Sequence, residues 1–349
     1  MKVFVTGHKG YIGVHLVDLL KQAGHSVTGC DLGLFDGCAW EAVVPADRDL
    51  RKDVRNVTID DLAGHDCVMH LAALSNDPMG EVNAAATYAI NRDASIRIAQ
   101  LAKKSGVPRY LFAASCSVYG AGEKLDLDET DPLNPLTAYA KSKIDTEQGV
   151  SALADASFTP VYLRNATAYG HSPMLRIDLV VNNLLACAIA TGEIRIMSDG
   201  SPWRPLIHCR DIARAFLAFM TAPKERVHNK AVNVGGNAEN YQVRDVVEQV
   251  KKLIPSAKTT YTGEVGADPR NYRVKFDLLN KMVPDFKLQY NLATGMEELH
   301  RKLIDHRFGK RDWESDQFVR LRALKRRLDL LKNVAEIEPG LIVSSFVRP

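Results

Sequence analysis

Through the first half of the chain the apolar positions alternate between two rhythms. Val3-Phe4-Val5 makes a continuous apolar run inside Lys2–Thr6, the pattern of a strand buried on both faces. From Tyr11 to Ala23 the residues Ile12, Leu16, Leu19 and Leu20 recur at helical spacing, and Gly24-His25 stops the segment. The same reading predicts strands over Ser26–Asp31, Asp66–Leu71, Arg109–Ser115 and Pro160–Arg164. Helices are predicted from about Thr87 to Ser105 and over Ala138–Leu153. Such alternation implies an α/β doubly wound parallel sheet with helices on both faces. The second half is interrupted by Pro202, Pro205, Pro223, Pro255, Pro269 and Pro284, which predicts a smaller α+β lobe. Residues 1–170 are expected to form the first lobe, with part of 203–235 returning to it, and 171–310 most of the second. Residues 311–349 form a basic extension, with a helix expected over Arg311–Leu331 and Phe318, Leu321, Leu324, Leu328 and Leu331 along one stripe.

Composition narrows the function classes. The 349 residues carry 45 basic and 42 acidic side chains, so no nucleic acid or anionic membrane is expected as a partner. The longest apolar stretch, Leu179 to Ala190, is short and contains Asn182 and Asn183, so no membrane span is expected. Met1-Lys2 runs directly into the first strand, which leaves no room for a signal-peptide core. The cysteines form no C-x-x-C pair and no histidine pair has metal-site spacing. A cytoplasmic protein without a metal is expected.

Between the first strand and the first helix lies Thr6-Gly7-His8-Lys9-Gly10-Tyr11-Ile12-Gly13. Glycine permits the tight bend, then close approach of backbone to a pyrophosphate, then close packing of helix on strand. The phosphates would face the helix N-terminus, where amide N–H groups and the dipole favour an anion. The second strand ends on Asp31, roughly where a carboxylate meets the adenosine ribose, and Leu32 follows it. This is the Rossmann-type arrangement for a nicotinamide dinucleotide. Asp31 favours NAD over NADP because a carboxylate repels a 2′-phosphate, although Lys9 offers that phosphate a partner. Asp53-Val54, after the next strand region, is either an adenine contact or a solvated loop.

Tyr139 stands four residues before Lys143 on a predicted helix, which puts both side chains on one face. A free phenol is a poor base at neutral pH, and a neighbouring ammonium lowers its pKa. Ser115, at the C-terminal end of a predicted parallel strand, offers a hydroxyl to a reacting oxygen, with Ser117 two residues on.

Taken together, these segments resemble a family. Thr6–Gly13, His70-Leu71-Ala72-Ala73, Asn91, Ser115–Gly120, Tyr139–Lys143, Leu163-Arg164, Tyr169-Gly170 and Arg204–Asp211 resemble, in order, the extended short-chain dehydrogenase/reductases of the UDP-galactose 4-epimerase type. The likeness covers residues 1 to about 305. It implies Tyr139 as acid/base, Lys143 as its electrostatic partner, and Ser115, with Ser117, as catalytic hydroxyls. It implies a cofactor site of Gly7, Gly10, Tyr11, Ile12, Gly13, Asp31, Leu32, Asp53, Val54, Leu71, Ala72, Ala73, Asn91, Tyr139 and Lys143, with Asn91 bracing the active-site strands. It implies a nucleotide-sugar substrate held by Ser75, Ser115, Thr167, Asn183, Arg204 and Asp268, and a homodimer. Departures are Thr167 where many members have asparagine, His171 where many have proline, and Val265 where an arginine is frequent. The 4,6-dehydratase subgroup has Thr-Asp-Glu where this chain has Ser115-Cys116-Ser117, so 4,6-dehydration is not expected. Two reactions remain open on these residues: 4-epimerisation through a transient keto sugar, and NAD(P)H-dependent reduction of a 4-keto-6-deoxy nucleotide sugar. A non-catalytic NAD-binding regulator is the alternative from another class.

Overall fold

The computed structural model describes residues 1–75, 83–120, 125–261 and 270–337. Seven parallel strands make the main sheet: β1 (Lys2–Thr6), β2 (Ser26–Asp31), β3 (Arg48–Arg51), β4 (Cys67–His70), β5 (Arg109–Ser115), β6 (Thr159–Asn165) and β10 (Lys230–Val234). Their spatial order is β10-β6-β5-β4-β1-β2-β3, so the winding direction reverses between β1 and β4. Ligands bind outside the carboxyl ends of strands at such a reversal. Those ends are Thr6 and His70, which are paired in register.

Helices of ten or more residues are numbered in chain order: α1 (Gly13–Gln22), α2 (Ala94–Lys104), α3 (Ala138–Ser151), α4 (Val180–Thr191), α5 (Cys209–Thr221), α6 (Val243–Leu253), α7 (Leu292–Asp305) and α8 (Arg320–Ile337). Strand β1 explains the two-faced apolar run. Val3 and Val5 pack with Leu16 and Leu20 of α1 and Phe216 of α5. Phe4 points the other way, into a cluster with Ile98 and Ala99 of α2. A second core lies among α4, α6 and α7, the three-stranded sheet β11-β9-β7 (Asn240–Gln242, Trp203–His208, Thr167–Tyr169) and the pair β12-β8 (Lys258–Tyr261, Glu193–Ile196), whereas α5 and β10 return to the first. All six cysteines are buried and free.

Two predicted elements differ in detail. The helix expected over Thr87–Ser105 contains a π-helical turn at Tyr88–Asp93. There the Asn91 carbonyl accepts from Ser95 Oγ at 2.7 Å and Thr146 Oγ1 at 2.9 Å, and side chains inserted into a helical ladder favour such turns. The extension is two helices, Lys310–Glu314 and α8, not one. Phe318 lies between them, off the expected stripe. It is fully buried against Trp40 and Phe308, with ring centroids 5.8 and 5.4 Å away, and this anchoring turns the chain.

Candidate functional site

The glycine turn closes on itself so tightly that side chains are excluded. Gly7 has φ +70°, and a Cβ on it would lie 2.8 Å from the Ala72 amide nitrogen. A Cβ on Gly13 would lie 2.1 Å from the Gly7 carbonyl oxygen. The turn therefore presents bare backbone at the mouth of a cleft of about 1370 Å³, which Gly7, Gly10, Tyr11, Ile12, Gly13, Asp31, Leu32, Val54, Leu71, Ala72 and Ala73 all line. That cradle fits a dinucleotide diphosphate. The Asp31 carboxylate accepts from the Gly33 N–H at 2.8 Å and the Lys9 N–H at 3.3 Å, which fixes it at the end of β2. Lys9 turns its ammonium to Asp49, at 2.7 Å, and this contact holds its pKa above the usual value. Asp53 lines the cleft, but its carboxylate is already engaged by Arg55 at 2.6 Å.

Beneath the loop that follows β4 runs a buried chain of polar groups. The Leu71 and Ala72 N–H groups both donate to Thr6 Oγ1 at 3.1 Å. Thr6 Oγ1 lies 2.8 Å from His70 Nδ1, and His70 Nε2 lies 2.7 Å from Ser95 Oγ. Ser95 Oγ donates onward to the Asn91 carbonyl, so it must accept from His70 Nε2–H. His70 is then the neutral Nε2–H tautomer, in keeping with a pKa that burial lowers to about 3. Asn91 is fully buried, and its amide pairs with the Leu74 N–H at 2.8 Å and carbonyl at 3.1 Å. Its side chain braces the loop after β4 and is not among the residues that line the cleft.

Helix α3 brings Tyr139 and Lys143 to the cleft wall. Thr137 caps it by accepting from the Ala140 N–H at 3.2 Å. Lys143 is 2% exposed, donates to the Ala113 carbonyl at 2.8 Å, and places Nζ 5.5 Å from the Tyr139 ring centroid. Burial lowers its pKa to about 7, opposed by Glu147. The unfolded chain keeps this proton up to the ordinary lysine range, so the unfolded state binds more protons above about pH 7. Stability should therefore rise from about pH 7 towards about pH 10 by an amount on the order of a few kcal/mol. Thermal melts at pH 6.5, 8 and 9.5 should show Lys143→Met more stable than wild type at the lowest pH, with the gap closing as pH rises. Ser115 ends β5, and its Oγ accepts from the Ser117 N–H at 3.1 Å, which leaves its own proton available to donate. Ser117 Oγ is buried and has no hydrogen-bond partner among the described residues, in a side chain that lines the cleft.

Further along the cleft lie Ser75, Thr167, Asn183 and Arg204. Asn183 donates to the Ile177 carbonyl at 2.9 Å, and Arg204 to the carbonyls of Trp203 and Arg270. Asp268 lies outside the described residues. Arg176 escaped the sequence reading. It is 6% exposed, binds Asp178 through two hydrogen bonds of 3.0 Å, and reaches Ser75 Oγ at 3.1 Å. The Arg-x-Asp spacing in an extended segment was the available clue. Tyr11 ties the glycine turn to the segment after β7 and to α4: its hydroxyl donates to the Gly170 carbonyl at 2.6 Å and accepts from Asn182 at 3.0 Å. Among the described residues no His/Cys/Asp/Glu cluster is arranged to hold a metal, and no helix is long and apolar enough to cross a membrane.

Sheet order, glycine cradle and the α3 pair define an extended short-chain dehydrogenase/reductase. The chain belongs to the NAD dependent epimerase/dehydratase family, matched over residues 3–235, and its cofactor is NAD. A UDP-glucose 4-epimerase of Mus musculus is 27% identical over 285 residues, covering 72% of this chain and 82% of that protein. An uncharacterized UDP-glucose epimerase of Bacillus subtilis (strain 168) is 26% identical over 312 residues, 85% of this chain and 95% of its own. MoeE5 in complex with UDP-glucose and NAD superposes with a TM-score of 0.75 at 26% identity, covering 87% of this chain and 99% of that one.

Proposed function

We propose that the protein is an NAD-dependent epimerase that inverts a secondary-alcohol carbon of a nucleotide-activated sugar through a transient 4-keto sugar. The observation that carries this reading is the Tyr139–Lys143 pair on the wall of the same cleft as the glycine cradle and Ser115. Tyr139 takes the proton of the sugar hydroxyl and later returns it. The Lys143 ammonium favours the phenolate, and Ser115 donates a hydrogen bond to the reacting oxygen. Bound NAD supplies the reversible hydride acceptance the reaction needs. Arg204, with its fork of donors, holds the sugar-nucleotide diphosphate, and Asn183 contacts the nucleotide. A homodimer built partly on α3 belongs to this reading, with light scattering of the full chain as its measure.

A UDP-hexose is the first substrate to test, because the curated relatives named above are UDP-glucose epimerases. The purified protein should carry bound NAD and interconvert the C4 epimers with no nicotinamide added. Turnover that consumed one NAD(P)H per product would replace this reading with the ketoreductase. Cofactor choice yields a second expectation. Asp49 neutralises Lys9 at the edge of the adenosine side, so Asp49→Asn should raise NADP affinity several-fold and leave NAD affinity within about twofold. Paired titrations with the two dinucleotides check it.

A further inference from the structure

Arg320, the first residue of α8, is 2% exposed and lines the main cleft. It lies beyond the segment matched to the family. Its guanidinium makes three hydrogen bonds, all to backbone carbonyls: Gln317 at 3.0 Å, Met174 at 2.8 Å and Leu175 at 3.4 Å. Five donors are available, so at least two N–H groups are left over. Among the described residues no carboxylate lies within ion-pair distance of it. Asp178 is committed to Arg176, so this corner holds two guanidinium groups and one carboxylate. Burial, with Arg176 close by, lowers the Arg320 pKa to about 10, and the negative charge of Asp178 acts against that shift without reversing it. Two buried guanidinium groups that share one carboxylate are under-compensated, and an anionic ligand relieves that cost.

The surroundings identify the anion. Arg320 sits over the Phe35 ring at 5.0 Å, on the loop that follows Asp31. Its acceptors at 174 and 175 belong to a segment fixed on the glycine turn, where Ser172 Oγ donates to the Tyr11 carbonyl at 2.8 Å and accepts from the Met174 N–H at 3.2 Å. Arg320 therefore stands between the adenosine-side loop and the diphosphate cradle. Its helix is fastened there. Arg327 donates to the Gly33 and Asp36 carbonyls, Gln317 donates to the Ala39 carbonyl at 3.1 Å, and Ala323 packs with Val14, Cys38 and Met174.

We propose that Arg320 contacts the diphosphate of the bound dinucleotide, so that the C-terminal extension completes the cofactor site. This rests on NAD as the cofactor and not on the epimerase reaction. The test uses the full-length protein with Arg320→Gln, which keeps donors for the backbone carbonyls and removes the charge. NAD per chain after purification is measured, together with displacement of fluorescent NADH by NAD, ADP-ribose, adenosine and UDP. The expected result is a roughly 10- to 100-fold loss for NAD and ADP-ribose, with adenosine and UDP within about twofold of wild type. Unchanged NAD affinity, an equal loss for adenosine, or a loss confined to UDP would each overturn the proposal. If Arg320→Gln does not melt cooperatively, Arg320→Lys carries the test. It should keep the preference for ADP-ribose over adenosine, and equal weakening of both overturns the proposal. Loss of epimerase turnover in wild type that still binds NAD would sink the reaction and leave this inference standing.

Discussion

Tyr139→Phe should lower turnover of a nucleotide sugar by about two to four orders of magnitude while NAD stays bound. The substitution removes one oxygen from a half-buried side chain, so the loss falls on proton transfer and not on folding. Helix α3 keeps its Thr137 cap, and Lys143 keeps its bond to the Ala113 carbonyl. Equal NAD content, an unchanged melting temperature and a collapsed turnover number form the expected triple result. Full turnover in Tyr139→Phe would remove the proton-transfer role of Tyr139, whereas wild type that binds NAD and turns over no nucleotide sugar would favour a non-catalytic NAD-binding protein.

The second large effect belongs to Gly13→Ala. The new methyl group would lie 2.1 Å from the Gly7 carbonyl and 2.8 Å from the His8 Cα. Both are backbone atoms, so the turn itself must open, and overpacking of this kind costs about 1–3 kcal/mol or more. The opened turn no longer matches the diphosphate. NAD affinity should fall by about a hundredfold or more, with a lower melting temperature. Gly10 provides the contrast: its Cβ would meet the same Gly7 oxygen at 3.1 Å, so Gly10→Ala should be milder in both measurements. Calorimetric titration with NAD ranks the pair, and a reversed ranking would contradict the packing argument.

What the sequence made legible is what local rules encode. Lys2–Thr6 and the turn after it were readable because a two-faced apolar run and three glycines each have one structural use. Tyr139 and Lys143 were readable because four residues along a helix fix their relation whatever surrounds it. Arg176 and Arg320 were not. An arginine reads as a surface residue until long-range contacts bury it, and the partners of Arg176 are Asp178 nearby and Ser75 about a hundred positions away. Phe318 misled for the same reason: its place on a helical stripe gave way to a tertiary pocket beside Trp40. Lys9 was ambiguous because Asp49, forty positions on, decides where its charge points.

The buried cysteines give the molecule a built-in reporter. Cys38 lies under the extension, packed with Phe35, Met174 and Ala323, whereas Cys67 and Cys116 lie in the core beneath α1 and α5 and Cys209 is fully buried. A thiol reagent added to native protein should label Cys38 first, at a rate set by how often α8 lifts from its seat. Mass spectrometry of that one modification would time the lifting of α8 directly, with no substrate and no chromophore.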